Sequence, residues 1–274
     1  MKRVCILLFL FFVTFTATTN SQTISGPSVV TVPSGSLKLR ALLWKPKGRG
    51  PFPAVLFSPG SGQSPSPDTL GRTFAKHGYI FLALFRRGQG LSSDQGEESS
   101  VLWTRERATK GDDAANRLQL QLLEGEELDA QRNALAVLRS LRGVDPHRVA
   151  IIGHSFGGSL SLVHAAEDSQ IRAVVIFGGA AASWVRSPNL RERLTAAVRK
   201  ISAPVFFIYA ANDYSTVPGE VLSSEMEAQN KVHLLKIYPA FGKTQGEGHS
   251  IIYLSMQTWE HDVFEFLGEH TARR

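Results

Sequence analysis

Val149-Ala150-Ile151-Ile152-Gly153-His154-Ser155-Phe156-Gly157-Gly158-Ser159-Leu160 carries a short apolar run into a glycine-rich turn and on into a helix-type pattern. A bare Gly-x-Ser-x-Gly is common. Between a buried strand and a helix, however, it describes a sharp turn that holds one hydroxyl away from the backbone, open to a base on one side and a substrate on the other. Gly153 and Gly157 let the crowded backbone close around Ser155, and the helix that follows directs its unpaired N–H groups toward the same point. Ser155 is therefore the candidate nucleophile, and the N–H of Phe156 is a candidate donor to an oxyanion forming beside it.

The pattern of that stretch repeats on both sides of it. Bounded apolar runs at Ser36–Trp44, Ala54–Phe57, Tyr79–Phe85, Ala173–Phe177, Val205–Tyr209 and Val232–Tyr238 read as strands, several of them buried on both faces. Helical segments fall between them at Thr69–His77, Glu126–Leu141, Ser155–Ala166, Leu190–Lys200, Glu220–Gln229 and Ser255–Glu269. Within Glu126–Leu141, Leu128, Leu135, Leu138 and Leu141 share one face. Strands alternating with helices predict an α/β fold, a parallel sheet covered on both faces. Two stretches interrupt the alternation. Ser92–Gly125 is long and charged and contains Trp103; Gly179–Asn189 contains Trp184 and Pro188. Either is a loop or a small helical cap over the site.

A serine hydroxyl reacts at neutral pH only when a histidine takes its proton and an acid orients that histidine. Asp213 follows the strand Val205–Tyr209, and His249 lies in a glycine-rich loop after Val232–Tyr238. Of the eight histidines, only His249 occupies a loop after a late strand. Aspartate after a strand is also a common helix cap, so Asp213 has a structural reading as well. The second oxyanion donor belongs in the loop Ser58-Pro59-Gly60-Ser61-Gly62. Pro59 has no N–H to give, which leaves Gly60 or Ser61, with Ser61 preferred.

These motifs, with Val144-Asp145-Pro146-His147-Arg148-Val149, Phe85-Arg86-Arg87-Gly88-Gln89-Gly90-Leu91-Ser92, Asn212-Asp213 and Gly248-His249, resemble the α/β-hydrolase superfamily over about Leu39 to Gly268. The likeness is greatest to its dienelactone-hydrolase-like and prolyl-oligopeptidase-like branches. The resemblance implies an eight-stranded, mostly parallel sheet with a Ser155–Asp213–His249 triad at its carboxyl edge, and Phe156 with Ser61 or Gly60 as oxyanion donors. Dienelactone hydrolase itself uses a cysteine nucleophile, which Ser155 replaces here. The peptidase branch carries a large propeller before its catalytic domain, and this chain leaves no length for one. The expectation is a serine hydrolase that cleaves carboxylic esters through an acyl-enzyme. A peptidase or amidase of the same fold, or a binding protein that keeps the fold without turnover, are the alternatives. The expected partner is a small-molecule ester or amide, with no cofactor and no metal; the oligomeric state is not legible.

Other chemistries find less support. Phe241-Gly242-Lys243-Thr244 ends like a phosphate loop, but Ile237 stands where its first glycine belongs, and no helix is signalled after Thr244. Gly88-Gln89-Gly90 begins like a dinucleotide fingerprint, and Ser93 occupies the position of the third glycine. No histidines stand at zinc-ligand spacing. The net charge of +6 comes from basic residues interspersed with acidic ones, as in Arg105-Glu106-Arg107, which suits a solvated surface better than a nucleic-acid footprint. Lys2-Arg3, the apolar run Val4–Val13 and the small residues that follow read as a signal peptide over residues 1–21, too short to span a bilayer. That leaves 22–274 as the catalytic domain, secreted or periplasmic, with no membrane span. Cys5, the only cysteine, falls within the leader, so the mature chain holds no disulfide and must rest on its core.

Overall fold

The computed structural model describes residues 26–272; the leader read over residues 1–21, with its Cys5, lies outside them. The strands are β1 (Ser28–Ser34), β2 (Leu37–Trp44), β3 (Phe52–Ser58), β4 (Ile80–Phe85), β5 (Val144–His154), β6 (Val174–Phe177), β7 (Val205–Ala210) and β8 (His233–Tyr238). They form one eight-stranded sheet in the order β1-β2-β4-β3-β5-β6-β7-β8. From β4 to β8 every pairing is parallel, while β2 pairs antiparallel with both β1 and β4. The register Ser58↔Gly153 and His154↔Phe177 aligns the carboxyl ends of β3, β5 and β6 at one edge.

The helices are α1 (Asp68–Lys76), α2 (Ser99–Lys110), α3 (Asp112–Glu124), α4 (Glu126–Ser140), α5 (Phe156–Ala165), α6 (Pro188–Lys200), α7 (Val217–Ala228), α8 (Gln245–His249), α9 (Ile251–Leu254) and α10 (Met256–His270). They cover both faces of the sheet. One core joins Leu56, Ile151, Ile176 and Phe207 to Leu128 and Leu135 of α4, Leu160 of α5, Leu190 of α6 and Leu222 of α7. The opposite core joins Val55, Ile152, Val175 and Phe206 to Phe74 of α1 and to Trp259 and Val263 of α10. Adjacent residues of one strand thus serve different cores, as the two-residue period of a strand requires. This is why the central strands read as unbroken apolar runs. Each fully buried side chain of this size contributes about 1.5–3 kcal/mol relative to exposure.

The stretch Ser92–Gly125 resolves as helical. After a short 3-10 helix at Gly90–Gln95, α2 and α3 form a pair inserted between β4 and α4. Gly179–Ser187 is a succession of turns facing that pair. The strand β1 was not anticipated. His249, expected in a loop, ends the one-turn helix α8, so a helix does follow Thr244. Thr244 Oγ1 accepts from the N–H of Glu247, whose carboxylate accepts from the Thr244 N–H, a reciprocal cap. No helix among the described residues is long and apolar enough to cross a membrane.

Candidate active site

Ser155 sits between β5 and α5 with φ 55° and ψ −119°, a conformation that costs a non-glycine residue about 1–3 kcal/mol and persists only where its surroundings impose it. Those surroundings are tight. A Cβ at Gly153 would meet the Gly157 carbonyl oxygen at 2.3 Å, and one at Gly157 would meet the Ser58 carbonyl oxygen at 2.2 Å, so both flanking positions admit only glycine. The Ser155 N–H donates to the Phe177 carbonyl at 2.8 Å, which ties the elbow to β6.

Asp213 follows β7 and is buried, 6% exposed. Its Oδ1 accepts from the Tyr214 N–H at 2.6 Å and from His249 Nδ1 at 2.7 Å. With the Nδ1 proton directed at the carboxylate, Nε2 of His249 is left as the proton acceptor. Two further sets of hydrogen bonds hold the segment that carries this histidine. The Asn212 amide bonds the backbone of Phe241 at 2.8 Å in both directions and the Thr244 carbonyl at 3.0 Å, pinning the loop that leads into α8. His154, the residue before Ser155, donates from Nε2 to the His249 carbonyl at 2.9 Å, and the two imidazoles lie 4.8 Å apart. Burial, assisted by His249, pushes His154 down to about 3, so it is neutral at physiological pH and Nε2 carries its proton. The structure therefore brings His249 to Asp213 and to the neighbour of Ser155.

Phe156 opens α5, and its N–H belongs to the first turn, where helices have no internal acceptor. Gly60 faces the elbow: a Cβ placed on it would stand 3.5 Å from the Ser155 Cβ. Ser61 lines the same cavity as Ser155 and Phe156. That cavity measures about 310 Å³, and Trp103 of α2, Gln119 of α3 and Arg186 also line it. The Arg186 guanidinium lies 4.5 Å from the Trp103 ring, a cation–π pair. Among the described residues no group of three or more His, Cys, Asp or Glu side chains is disposed to hold a metal ion.

Sequence reasoning did not single out Arg86 or Glu127. Arg86, directly after β4, is completely buried and pairs through Nε with Glu127 of α4, itself 2% exposed. Glu127 lies beside Leu128 at the start of the helix's buried face; an acid at that position was the available signal for a buried partner. Its partner stands 41 residues away, beyond the reach of periodicity.

The family model of the dienelactone hydrolase family matches residues 39–270. The platelet-activating factor acetylhydrolase of Cavia porcellus is 28% identical over 163 residues, 50% of this chain, and the match spans 37% of that protein. An acylaminoacyl peptidase of Pyrococcus horikoshii superposes with a TM-score of 0.65 at 14% identity, covering 93% of this chain and 43% of that one. A Klebsiella pneumoniae protein described as a candidate dienelactone hydrolase superposes with a TM-score of 0.63 at 21% identity, over 92% of this chain and 100% of its own. At these identities the structural likenesses speak for the fold.

Proposed function

The chain belongs to the dienelactone hydrolase family, and on that premise we propose that it is a serine hydrolase cleaving carboxylic esters through an acyl-enzyme. The observation that carries this reading is the 2.7 Å bond from His249 Nδ1 to buried Asp213, beside a strained serine elbow at the mouth of a 310 Å³ cavity. His249 Nε2 takes the proton of Ser155 as its oxygen attacks the ester carbonyl. Asp213 holds the imidazole in that tautomer and stabilises the imidazolium. The oxyanion rests on the N–H of Phe156 and on that of Ser61 or Gly60. The protonated His249 gives its proton to the departing alcohol, and water then attacks the acyl-enzyme by the same route in reverse.

The test is Ser155→Ala assayed on a short p-nitrophenyl ester, with the matching p-nitroanilide as amide control and fluorophosphonate labelling as an independent readout. Loss of both turnover and labelling in a folded variant is expected, with the ester cleaved faster than the anilide by the wild type. Turnover undiminished by Ser155→Ala would refute the nucleophile; a faster anilide would move the reading to an amidase. We also propose that the leader read over residues 1–21 exports the protein, secreted or periplasmic, and that 22–274 is the working enzyme. A mature N-terminus of Met1 in the exporting cell would refute that.

A further inference from the structure

The buried guanidinium of Arg86 has more to do than pair with Glu127. It donates through Nη1 to Ser58 Oγ at 2.9 Å and to the Pro59 carbonyl at 3.0 Å, and through Nη2 to the Gly60 carbonyl at 2.7 Å. Gln89, whose Oε1 accepts from the Arg86 N–H at 3.1 Å, adds Nε2 bonds to the Gly60 carbonyl at 2.7 Å and to the Gly62 carbonyl at 2.9 Å. In a planar trans peptide the carbonyl and the N–H that follows it point opposite ways. Holding the Pro59 carbonyl therefore fixes the direction of the Gly60 N–H, and holding the Gly60 carbonyl fixes that of the Ser61 N–H. These are the two candidate donors read from the sequence, Ser61 preferred and Gly60 the alternative, and one side chain aims both. The same guanidinium lies 5.6 Å from the ring centre of Phe156, whose N–H is the remaining donor.

We propose that Arg86, held by Glu127, is a positioning residue for the oxyanion hole: it grips the reverse side of the 58–62 loop so that its N–H groups face the reacting carbonyl. The inference rests on the reading of Ser155 and the oxyanion donors given above. Arginine suits this task because its five donors form a rigid planar fork on a pre-organised guanidinium, whereas the three donors of lysine diverge from one nitrogen on a flexible stem and cannot reproduce that fork. Glu127 neutralises the buried charge, and its other carboxylate oxygen accepts from Ser99, the first residue of α2. Ser100, next in that helix, donates its N–H to the Ser61 carbonyl at 3.2 Å. One wall of the cavity is thereby fastened to the same loop.

A buried ion pair can be replaced by apolar side chains of similar size with little loss of stability, while removal of one partner alone is strongly destabilising. The informative variants are thus the double replacement Arg86→Met with Glu127→Leu, which removes the grip and leaves no orphan charge, and Arg86→Lys, which keeps the charge but not the fork. Both are assayed for kcat and KM on a p-nitrophenyl ester and for inhibition by a boronic acid, whose tetrahedral adduct needs the oxyanion donors. Removing one oxyanion donor costs about 10²–10³ in kcat. The double variant should lose about a hundredfold in kcat and Arg86→Lys about tenfold, with KM within about threefold of wild type and boronate affinity falling by the same factor as kcat. Should the double variant fail to fold, the Arg86→Lys arm decides. A folded variant that keeps kcat and boronate affinity within threefold, in an active wild-type background, overturns the inference alone. A wild type without esterase turnover overturns the reading of the site and the inference with it.

Discussion

Gly178 directly follows β6 beside the Asp213–His249 pair, and replacing it with alanine probes that pair without substituting either member. Its φ is +58°, and an added Cβ would meet His249 Nδ1 at 2.8 Å, Asp213 Oδ2 at 2.9 Å and His249 Cε1 at 3.0 Å. Ordinary contact begins near 3.4 Å, so the pair must give way by about 0.6 Å. Asp213 is held by the Tyr214 N–H, and the His249 backbone by His154, so the yielding part is the imidazole ring or the bond between the two. A misplacement approaching 1 Å can cost about a hundredfold in rate. We expect Gly178→Ala to lower kcat about tenfold to a hundredfold, with KM changed less than threefold.

The left-handed backbone adds a stability cost of roughly 1–2 kcal/mol. Gly35, in the turn between β1 and β2, has the same φ of +58° and nothing within 4 Å of its would-be Cβ. Gly35→Ala therefore carries the same backbone strain far from the site. Gly35→Ala should lose a few degrees of melting temperature, at about 2–4 °C per kcal/mol for a chain of this size, Gly178→Ala at least as much because its Cβ also crowds Asp213 and His249, and only Gly178→Ala should lose turnover. Equal kcat in the two variants would refute the reasoning that Asp213 and His249 act as a pair.

Thr244→Ala removes one half of the reciprocal cap on α8, worth about 0.5–2 kcal/mol. Because that helix carries His249, kcat should fall several-fold, with faster amide exchange in 245–249 and little change in global melting; unaltered exchange there would refute a cap role. His164 is 3% exposed, and burial pushes it down to about 4, with Arg132 and Arg139 adding to the effect and Asp168 and Glu167 opposing it. The unfolded chain takes up a proton near the ordinary histidine value of about 6.5 that the folded chain refuses until about 4, so stability is full above that window and falls as pH drops through it. His164→Gln should flatten the acid limb of a denaturation series by up to about 1.4 kcal/mol per pH unit; an unchanged slope would refute a neutral buried His164.

The fold was legible where strands are buried on both faces, because runs such as Val205-Phe206-Phe207-Ile208-Tyr209 feed both cores at once. β1 was not, since it is an edge strand with only Val32 and Ser34 buried, and an alternation so thinly burdened leaves little trace. The candidate chemistry was legible because Ser155, Asp213 and His249 each follow a strand, and chain order reports which strand end a residue hangs from. The helix under His249 escaped because Gly246 and Gly248 argue against helix while Thr244-Gln245-Gly246-Glu247 argues for a cap, and the cap prevails. Arg86 and Glu127 escaped because a charge predicts exposure until its partner is known, and theirs is assigned by the tertiary fold alone.

The pair α2–α3 adds no strand to the sheet. Trp103 and Gln119 hang from it, Arg186 faces it from the turns after β6, and Ser155, Asp213 and His249 hang from the ends of β5, β7 and α8. On the proposed reading, bond cleavage and molecular selection are thus assigned to different parts of the chain. On that reading, residues 99–124 could be exchanged to alter what the cavity admits while the strand ends that carry Ser155 and Asp213 stay as they are.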